Sequence, residues 1–126
     1  MTKPNKKPKL LVVDDEVEYC SLIQEYFSEK YEVRVTYDGE EAIREVHEFL
    51  PDCVLLDVKM PKMNGITALG LIKSSHPKIQ VIMVSASGSI RVAEESIKRG
   101  AFDYILKQVD LKELEDKIES ALGKSE

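Results

Sequence analysis

The chain has 126 residues, of which 43% are hydrophobic and 33% charged, and its formal net charge is −5. That length suits one domain with a single core, and no apolar run is long enough to cross a membrane. The acidic balance argues against direct binding of nucleic acid, because phosphate neutralisation needs clustered Lys and Arg side chains. Cys20 and Cys53 lie within apolar patterns and lack metal-type spacing, which is typical of reduced core cysteines in a cytoplasmic protein.

The chain begins with a basic segment, residues 1–8, which predicts a solvated tail before a domain at 9–122 and a short tail at 123–126. The first predicted element of the domain is an apolar strand at 10–13 that ends in acidic residues. A helical pattern follows, with apolar residues at the spacing of one face: Tyr19, Leu22, Ile23, Tyr26 and Phe27.

The second predicted strand, at 31–36, alternates apolar with polar residues. Such alternation predicts a strand that is solvated on one side and lies near the edge of a sheet. After a break at Asp38-Gly39, a second amphipathic helix is indicated by Ala42, Val46, Phe49 and Leu50.

The third predicted strand, at 53–56, is a purely apolar run that leads straight into Asp57. An apolar run of this kind indicates a strand buried on both faces, so Asp57 should lie where the strand leaves the sheet. Pro61 cannot continue a β ladder, and Gly65 lets the chain turn into a helix predicted at about 66–73.

The last third of the chain repeats this alternation. Strands are predicted at 79–84 and 102–106, with a serine-rich corner at 85–89 that offers a hydroxyl cap to the fourth helix. Gly100 ends that helix, and the last helix is indicated by Leu111, Leu114, Ile118 and Leu122. Five alternations of strand and helix predict an α/β fold in which a five-stranded parallel sheet carries helices on both faces.

Loops that leave the carboxyl ends of parallel strands meet at one edge of the sheet. This brings together Asp14 and Asp15, Asp57, Ser85 and Lys107. Three neighbouring carboxylates repel one another, and a hard divalent cation such as Mg²⁺ is their natural partner. A hydroxyl and an ammonium opposite them would cradle a transferred phosphoryl group, with Asp57 as the nucleophile that forms an aspartyl phosphate.

Each of these residues also has a simpler interpretation. Asp14 and Asp15 could cap the first helix, Asp57 and Ser85 could be ordinary turn residues, and Lys107 could be a solvated lysine. The coincidence of suitable groups at four independent strand ends favours the phosphoryl site.

From about 9 to 122 the chain resembles the response-regulator receiver domains of two-component signalling. The matching segments are LVVDDE at 11–16, LLDVKMPKMNG at 55–65, VSA at 84–86 and GAFDYILK at 100–107. Their order and separations fit the family throughout. The resemblance implies a flavodoxin-like sheet in the order 2-1-3-4-5, an order known from a chemotaxis receiver, and it agrees with an edge position for the second strand.

The resemblance also implies a role for each acidic residue. Asp57 matches the phospho-acceptor, Asp15 a direct ligand of Mg²⁺ (or Mn²⁺), and Asp14 an acid that acts on the metal mostly through water. The backbone carbonyl of Lys59 matches the third protein ligand of the metal.

Three further residues match the switch of the family. Ser85 matches the hydroxyl that moves to the phosphoryl group, Lys107 the lysine that pairs with that group, and Tyr104 the aromatic that then swings inward. The surface of helix four, strand five and helix five would then bind an effector or a second copy of the chain. The candidate residues on that face are Ile90, Arg91, Glu94, Lys98 and Lys112.

The chain departs from the family pattern in two places. Gln108 follows Lys107 where the family usually has proline after a cis peptide, so the loop carries either a strained cis bond or a relaxed trans one. Asn64 stands in a turn where aspartate is common, and little effect is expected. Lys59 and Ser87 occupy the two positions that influence how fast the family loses its phosphoryl group.

The function that the resemblance implies is a cytoplasmic signalling switch, phosphorylated by a histidine kinase or a histidine phosphotransfer protein, and not a metabolic enzyme. A phosphatase of the haloacid-dehalogenase type is a rival, but such enzymes carry a second acid where this chain has Lys59. An unphosphorylated interaction module is another, favoured by Gln108 alone. The chain could be a single-domain regulator or relay, or the receiver of a longer transcriptional regulator. The segment 100–104 resembles receivers of nitrogen-regulator-type activators, a likeness too short to decide between the two.

Overall fold

The structure, a computed structural model, describes residues 6–123, and within them strands and helices alternate strictly. The elements are β1 (Lys9–Val13), α1 (Val17–Phe27), β2 (Glu32–Thr36), α2 (Gly39–Phe49), β3 (Cys53–Leu56), α3 (Gly65–Ser75), β4 (Gln80–Ser85), α4 (Ile90–Lys98), β5 (Asp103–Leu106) and α5 (Leu111–Ala121). Each predicted strand end agrees with the observed one to within a residue. Most of the predicted tails, 1–5 and 124–126, lies outside the described residues.

The sheet has the order β2-β1-β3-β4-β5, and all neighbouring strands are parallel. The predicted α/β class and strand order are therefore confirmed. Leu56 of β3 pairs with both Val13 of β1 and Met83 of β4, so β1 and β3 end level with one another and β4 continues two residues further, to Ser85. The register thus brings the residues that follow the strands to one edge of the sheet.

Two apolar layers cover the faces of the sheet, because successive strand residues point to opposite sides. On one side Leu10, Val12 and Leu55 pack against α1 and α5. On the other side, side chains of β1, β3 and β4 pack against α2 and α3. Full burial of each large aliphatic side chain stabilises the fold by about 1.5–3 kcal/mol, so the sheet is a rigid support for the loops at its edge.

The predicted buried face of α1 is confirmed for Ile23 and Phe27, as is the core position of Cys20, but it is wrong for Leu22 and Tyr26. Cys20, Ile23 and Phe27 are buried, whereas Leu22 and Tyr26 are 47% and 41% exposed. The helix carries two overlapping apolar stripes, one residue apart, and each has the spacing of a helical face. Periodicity alone does not distinguish them, and packing against the sheet selects the stripe that contains Cys20.

The helix α4 is attached to the sheet by smaller side chains than the other helices. It buries Ser96, whose hydroxyl donates to the carbonyl of Val92 at 2.8 Å. Ile90 and Ile97 are 76% and 50% exposed. Since little apolar area of α4 is buried, less free energy opposes its displacement than for α3.

No helix among the described residues is both long and apolar enough to cross a membrane.

Candidate functional site

Asp57 lies at the carboxyl edge of the sheet, directly after β3, and is 6% exposed. Its backbone N–H donates to the carbonyl of Val13 at 2.9 Å, which continues the pairing of β3 with β1. Its carboxylate accepts from the N–H of Val58 at 2.8 Å. The strand and the following residue therefore fix both the main chain and the side chain of Asp57.

Gly65 lets the first turn of α3 pass directly over the backbone of Asp57. Its N–H donates to the carbonyl of Val58 at 2.7 Å, and a Cβ on it would lie 1.9 Å from the carbonyl oxygen of Asp57. The sequence suggested glycine here for turning, but the structural reason is this close approach of two backbones. Asn64 caps α3, as its side chain accepts from the N–H of Thr67 at 3.0 Å, which explains why asparagine suits that position.

Asp14, Asp15 and Asp57 form one acidic cluster, in which one carboxylate oxygen of each lies within 4.8 Å of the others. Asp14 is 2% exposed, whereas Asp15 is exposed. Neither acid is the N-cap of α1, which is Glu16 and makes no side-chain cap hydrogen bond, although Asp14 Oδ1 accepts from the N–H of Glu16 at 2.9 Å. Three oxygen ligands so close together fit a hard divalent cation such as Mg²⁺.

The electrostatics of the cluster act most strongly on Asp57. Burial, reinforced by the negative charge of Asp14, raises the pKa of the Asp57 carboxyl to about 6, although Lys107 acts in the opposite direction. This environment therefore disfavours the negatively charged form of the Asp57 carboxyl group.

Lys107 lies at the same cluster. Its Nζ is 2.9 Å from Asp14 Oδ2, 2.5 Å from Glu16 Oε1 and 3.7 Å from Asp57 Oδ2. Burial alone would lower the pKa of the ammonium, but the hydrogen bonds to Glu16 and Asp14 outweigh it and raise that pKa. No peptide bond within residues 6–123 is cis, so the bond between Lys107 and Gln108 is trans.

Ser85, the last residue of β4 rather than the first of the loop, is 4% exposed. Its Oγ accepts from the N–H of Ser87 at 3.1 Å, and the hydroxyl of Tyr104 donates to the carbonyl of Ser87 at 2.7 Å. The backbone of Ser87 thus connects the two predicted switch side chains. The carbonyl of Ser85 accepts from the N–H of Lys107 at 2.8 Å, which ties β4 to the lysine loop.

The remaining predicted site residue, Lys59, is exposed in the loop after β3, two residues beyond Asp57. Sequence reasoning assigned no function to Glu16 and placed Tyr19 on a core face. In the structure both contact Lys107, as the ammonium lies 5.0 Å from the centre of the Tyr19 ring. The signal for Glu16 was its position directly after the acidic pair.

The fold and the site define a flavodoxin-like α/β domain with an acidic pocket at the carboxyl edge of its sheet. The chain belongs to the response regulator receiver domain family, whose model matches residues 10–119. Receiver domains are signalling modules rather than metabolic enzymes, which answers the dehalogenase-type alternative. They bind Mg²⁺ at an acidic pocket and interact with histidine kinases and phosphotransfer proteins.

Similar proteins include longer regulators. The chain is 38% identical over 118 residues to the transcriptional regulatory protein ZraR of Salmonella typhimurium. The aligned region covers 93% of this chain and 27% of ZraR. It is 34% identical over 115 residues to the regulatory protein AtoC of Escherichia coli, covering 90% of this chain and 25% of AtoC. The chain therefore spans about a quarter of the length of these relatives.

Solved structures give the same assignment. The receiver domain of NtrX from Brucella abortus is 35% identical, with a TM-score of 0.86 and coverage of 93% of this chain and 100% of that one. A chain of the CheX–CheY–BeF3–Mg complex from Borrelia burgdorferi is 33% identical, with a TM-score of 0.84 and coverage of 93% and 90%.

Proposed function

We propose that this domain is a phosphorylation-dependent switch in which Asp57 accepts a phosphoryl group from a phosphohistidine of a histidine kinase or a phosphotransfer protein. The observation that carries the proposal is the setting of Asp57. This buried carboxylate follows a rigid strand, lies 3.7 Å from an ammonium and shares its pocket with two further acids.

In the proposed transfer, an oxygen of the Asp57 carboxylate forms a bond to phosphorus while the bond from phosphorus to the histidine nitrogen breaks. The electron pair of the broken bond stays on the imidazole, and the product is an aspartyl phosphate. Hydrolysis by water later restores the carboxylate and releases inorganic phosphate. Positioning and charge neutralisation supply most of the catalysis in such transfers.

The acidic cluster suits the metal that the family uses. Asp14, Asp15, Asp57 and the backbone carbonyl of Lys59 would hold Mg²⁺ (or Mn²⁺), which when bound neutralises charge on the phosphoryl oxygens. Lys107 would supply a further positive charge to the same oxygens.

Switching would proceed through Ser85. The hydroxyl of Ser85 would donate to a new phosphoryl oxygen, and movement of Ser85 towards that oxygen takes its Oγ away from the N–H of Ser87. Because Ser87 also accepts from Tyr104, a shift of this corner alters the hydrogen bond that holds the tyrosine ring. The weak attachment of α4 supports a response in this region.

The surface formed by α4, β5 and α5 is the proposed output face. Its exposed residues would meet a downstream effector or a second copy of the domain; the candidates are Ile90, Arg91, Glu94, Lys98 and Lys112. The curated relatives are longer regulators, which supports the idea that the domain serves as the receiver of a larger protein. The alternative of an unphosphorylated module has less support, since Lys107 reaches the cluster although Gln108 follows it.

The test is the intact mass of the protein after incubation with Mg²⁺ and acetyl phosphate. We expect the wild type to gain one phosphoryl group, and Asp57→Asn to gain none while it remains folded. The exposed Asp116, which pairs with Lys112 on α5, offers the matched control Asp116→Asn, which should be modified like the wild type. A folded wild type that gains nothing from acetyl phosphate or from a phosphohistidine protein would contradict the proposal.

A further inference from the structure

The side chain of Lys107 is enclosed by groups from the start of α1 as well as by the acidic cluster. Glu16 Oε1 lies 2.5 Å from the ammonium and Asp14 Oδ2 lies 2.9 Å from it. The ring of Tyr19, in the first turn of α1, lies 5.0 Å from the same nitrogen, which is within the range of a cation–π contact. Lys107 itself is 13% exposed.

These contacts leave one direction of the ammonium free. An ammonium has three N–H donors, and Asp14 and Glu16 accept from two of them. Among the described residues no acceptor is within hydrogen-bond distance of the third donor, since Asp57 Oδ2, at 3.7 Å from the nitrogen, is too far away. A phosphoryl group on Asp57 would place its oxygens further out from the strand than the carboxylate, towards this free donor.

The main chain does not by itself determine where the ammonium lies. The N–H of Lys107 is fixed to the carbonyl of Ser85 at 2.8 Å, but four rotatable side-chain bonds separate the backbone from Nζ, and ordering them costs conformational entropy. The contacts with α1 order that side chain before any phosphoryl group arrives. Burial and the charge of Asp14 also raise the pKa of the Tyr19 hydroxyl to about 12, so the ring that faces the ammonium is a neutral phenol.

We propose that Glu16 and Tyr19 are positioning residues that hold the ammonium of Lys107 in place for the phosphoryl group on Asp57. This inference rests on the proposed function of Asp57. It adds the first turns of α1 to the transfer machinery, although neither residue touches the reacting atoms.

Initial rates of phosphorylation by acetyl phosphate, measured against donor concentration at saturating Mg²⁺, test the proposal. Glu16→Ala and Tyr19→Leu should each lower the maximal rate about 3- to 10-fold without raising the apparent KM for the donor. Tyr19→Phe keeps the ring and should restore the wild-type rate. Lys107→Ala should lower the maximal rate about 100-fold, as expected for loss of one group that stabilises developing charge.

The decisive comparison uses the Lys107→Ala background. Residues that act through the ammonium have nothing left to position there, so Glu16→Ala and Tyr19→Leu should cause no further loss. The same 3- to 10-fold loss in that background would overturn the proposal, and so would wild-type rates for the two single variants.

A second measurement needs no phosphorylation. In NMR spectra of the unmodified protein, the ε-methylene of Lys107 should show an upfield ring-current shift that Tyr19→Leu removes and Tyr19→Phe keeps. An unchanged Lys107 signal in Tyr19→Leu would overturn the positioning role. If the wild type is never phosphorylated but this signal moves as expected, the proposed function fails while the arrangement around Lys107 stands.

Discussion

The negative charge of Asp57 lies in a pocket that already holds the charge of Asp14, and this proximity destabilises the ionised form of Asp57. Burial and Asp14 raise the pKa of the Asp57 carboxyl from 3.8 to about 6. Between these two pH values the folded state binds more protons at this position than the unfolded state does. By linkage, the contribution of Asp57 to the free energy of unfolding therefore falls as the pH rises from about 4 to about 6.

Replacing Asp57 by asparagine should remove that loss. In metal-free buffer we expect Asp57→Asn to be more stable than the wild type by about 1–3 kcal/mol at pH 7, with an advantage that grows from pH 4 to 6 and is constant above. Urea unfolding of both proteins across this range measures it. Asp116→Asn changes an exposed carboxylate and should show no such growth. A difference that is independent of pH would contradict the electrostatic explanation.

At the scale of single residues, the sequence predicted correctly which residues lie at the strand ends, but it did not predict which groups the ends of long side chains contact. Asp14, Asp57 and Ser85 follow directly from strand positions, because short side chains stay close to the backbone. The contacts of Lys107 with Glu16 and Tyr19 depend on side-chain torsions and on the rotation of α1, and neither is encoded in spacing along the chain.

At the scale of elements, helix and strand positions followed from periodicity, but the rotation of α1 did not. The apolar stripe with Leu22 and Tyr26 and the stripe with Cys20 and Ile23 fit a helical repeat equally well. Burial decides between them only once the sheet is in place. Cys20 donates its thiol to the carbonyl of Asp14 at 3.3 Å, so the selected rotation also connects α1 to the site.

The end of α2 contains a strained cap that a single substitution should relieve. Leu50 is 54% exposed and has left-handed dihedral angles, φ 52° and ψ 61°, which cost a residue with a Cβ about 1 kcal/mol or more. Leu50→Gly should therefore raise the free energy of unfolding by about 0.5–1 kcal/mol, net of the added freedom of the unfolded chain.

The helix α1 supplies the matched control for this prediction. Its C-cap, Ser28, has right-handed angles, φ −63° and ψ −24°. There glycine relieves no strain, increases the entropy of the unfolded chain and removes the hydrogen bond that the Ser28 hydroxyl donates to the carbonyl of Gln24, so Ser28→Gly should lower stability by at least about 0.5–1 kcal/mol. Urea unfolding of both variants gives the two signs, and equal signs would refute the strain argument.

At the scale of the whole molecule, function depends on the parallel topology. Alternation of strands and helices predicts a parallel sheet with all its carboxyl ends at one edge, and hence the meeting of the acids with Lys107. It does not fix which strands are neighbours, because several orders satisfy the same alternation. The order β2-β1-β3-β4-β5 came from the family resemblance, and it makes β3, the strand that leads into Asp57, the central one.

Because the fold tolerates three neighbouring carboxylates, a cation that binds them should stabilise the whole domain. A ligand that binds only the folded state adds about 2.7 kcal/mol at a hundredfold excess over its Kd, or roughly 10 °C in Tm for a domain of this size. Mg²⁺ should therefore raise the Tm of the wild type in a concentration-dependent way, and Asp15→Asn should lose most of the gain.

The gain in Tm from Mg²⁺ should also be smaller at pH 5 than at pH 7.5, because below a pKa of about 6 the Asp57 carboxyl holds a proton that competes with the metal. Asp116→Asn should retain the full gain, and NaCl of matched ionic strength should not reproduce it. An equal rise in Tm for wild type and Asp15→Asn would mean that the cation acts elsewhere on the surface.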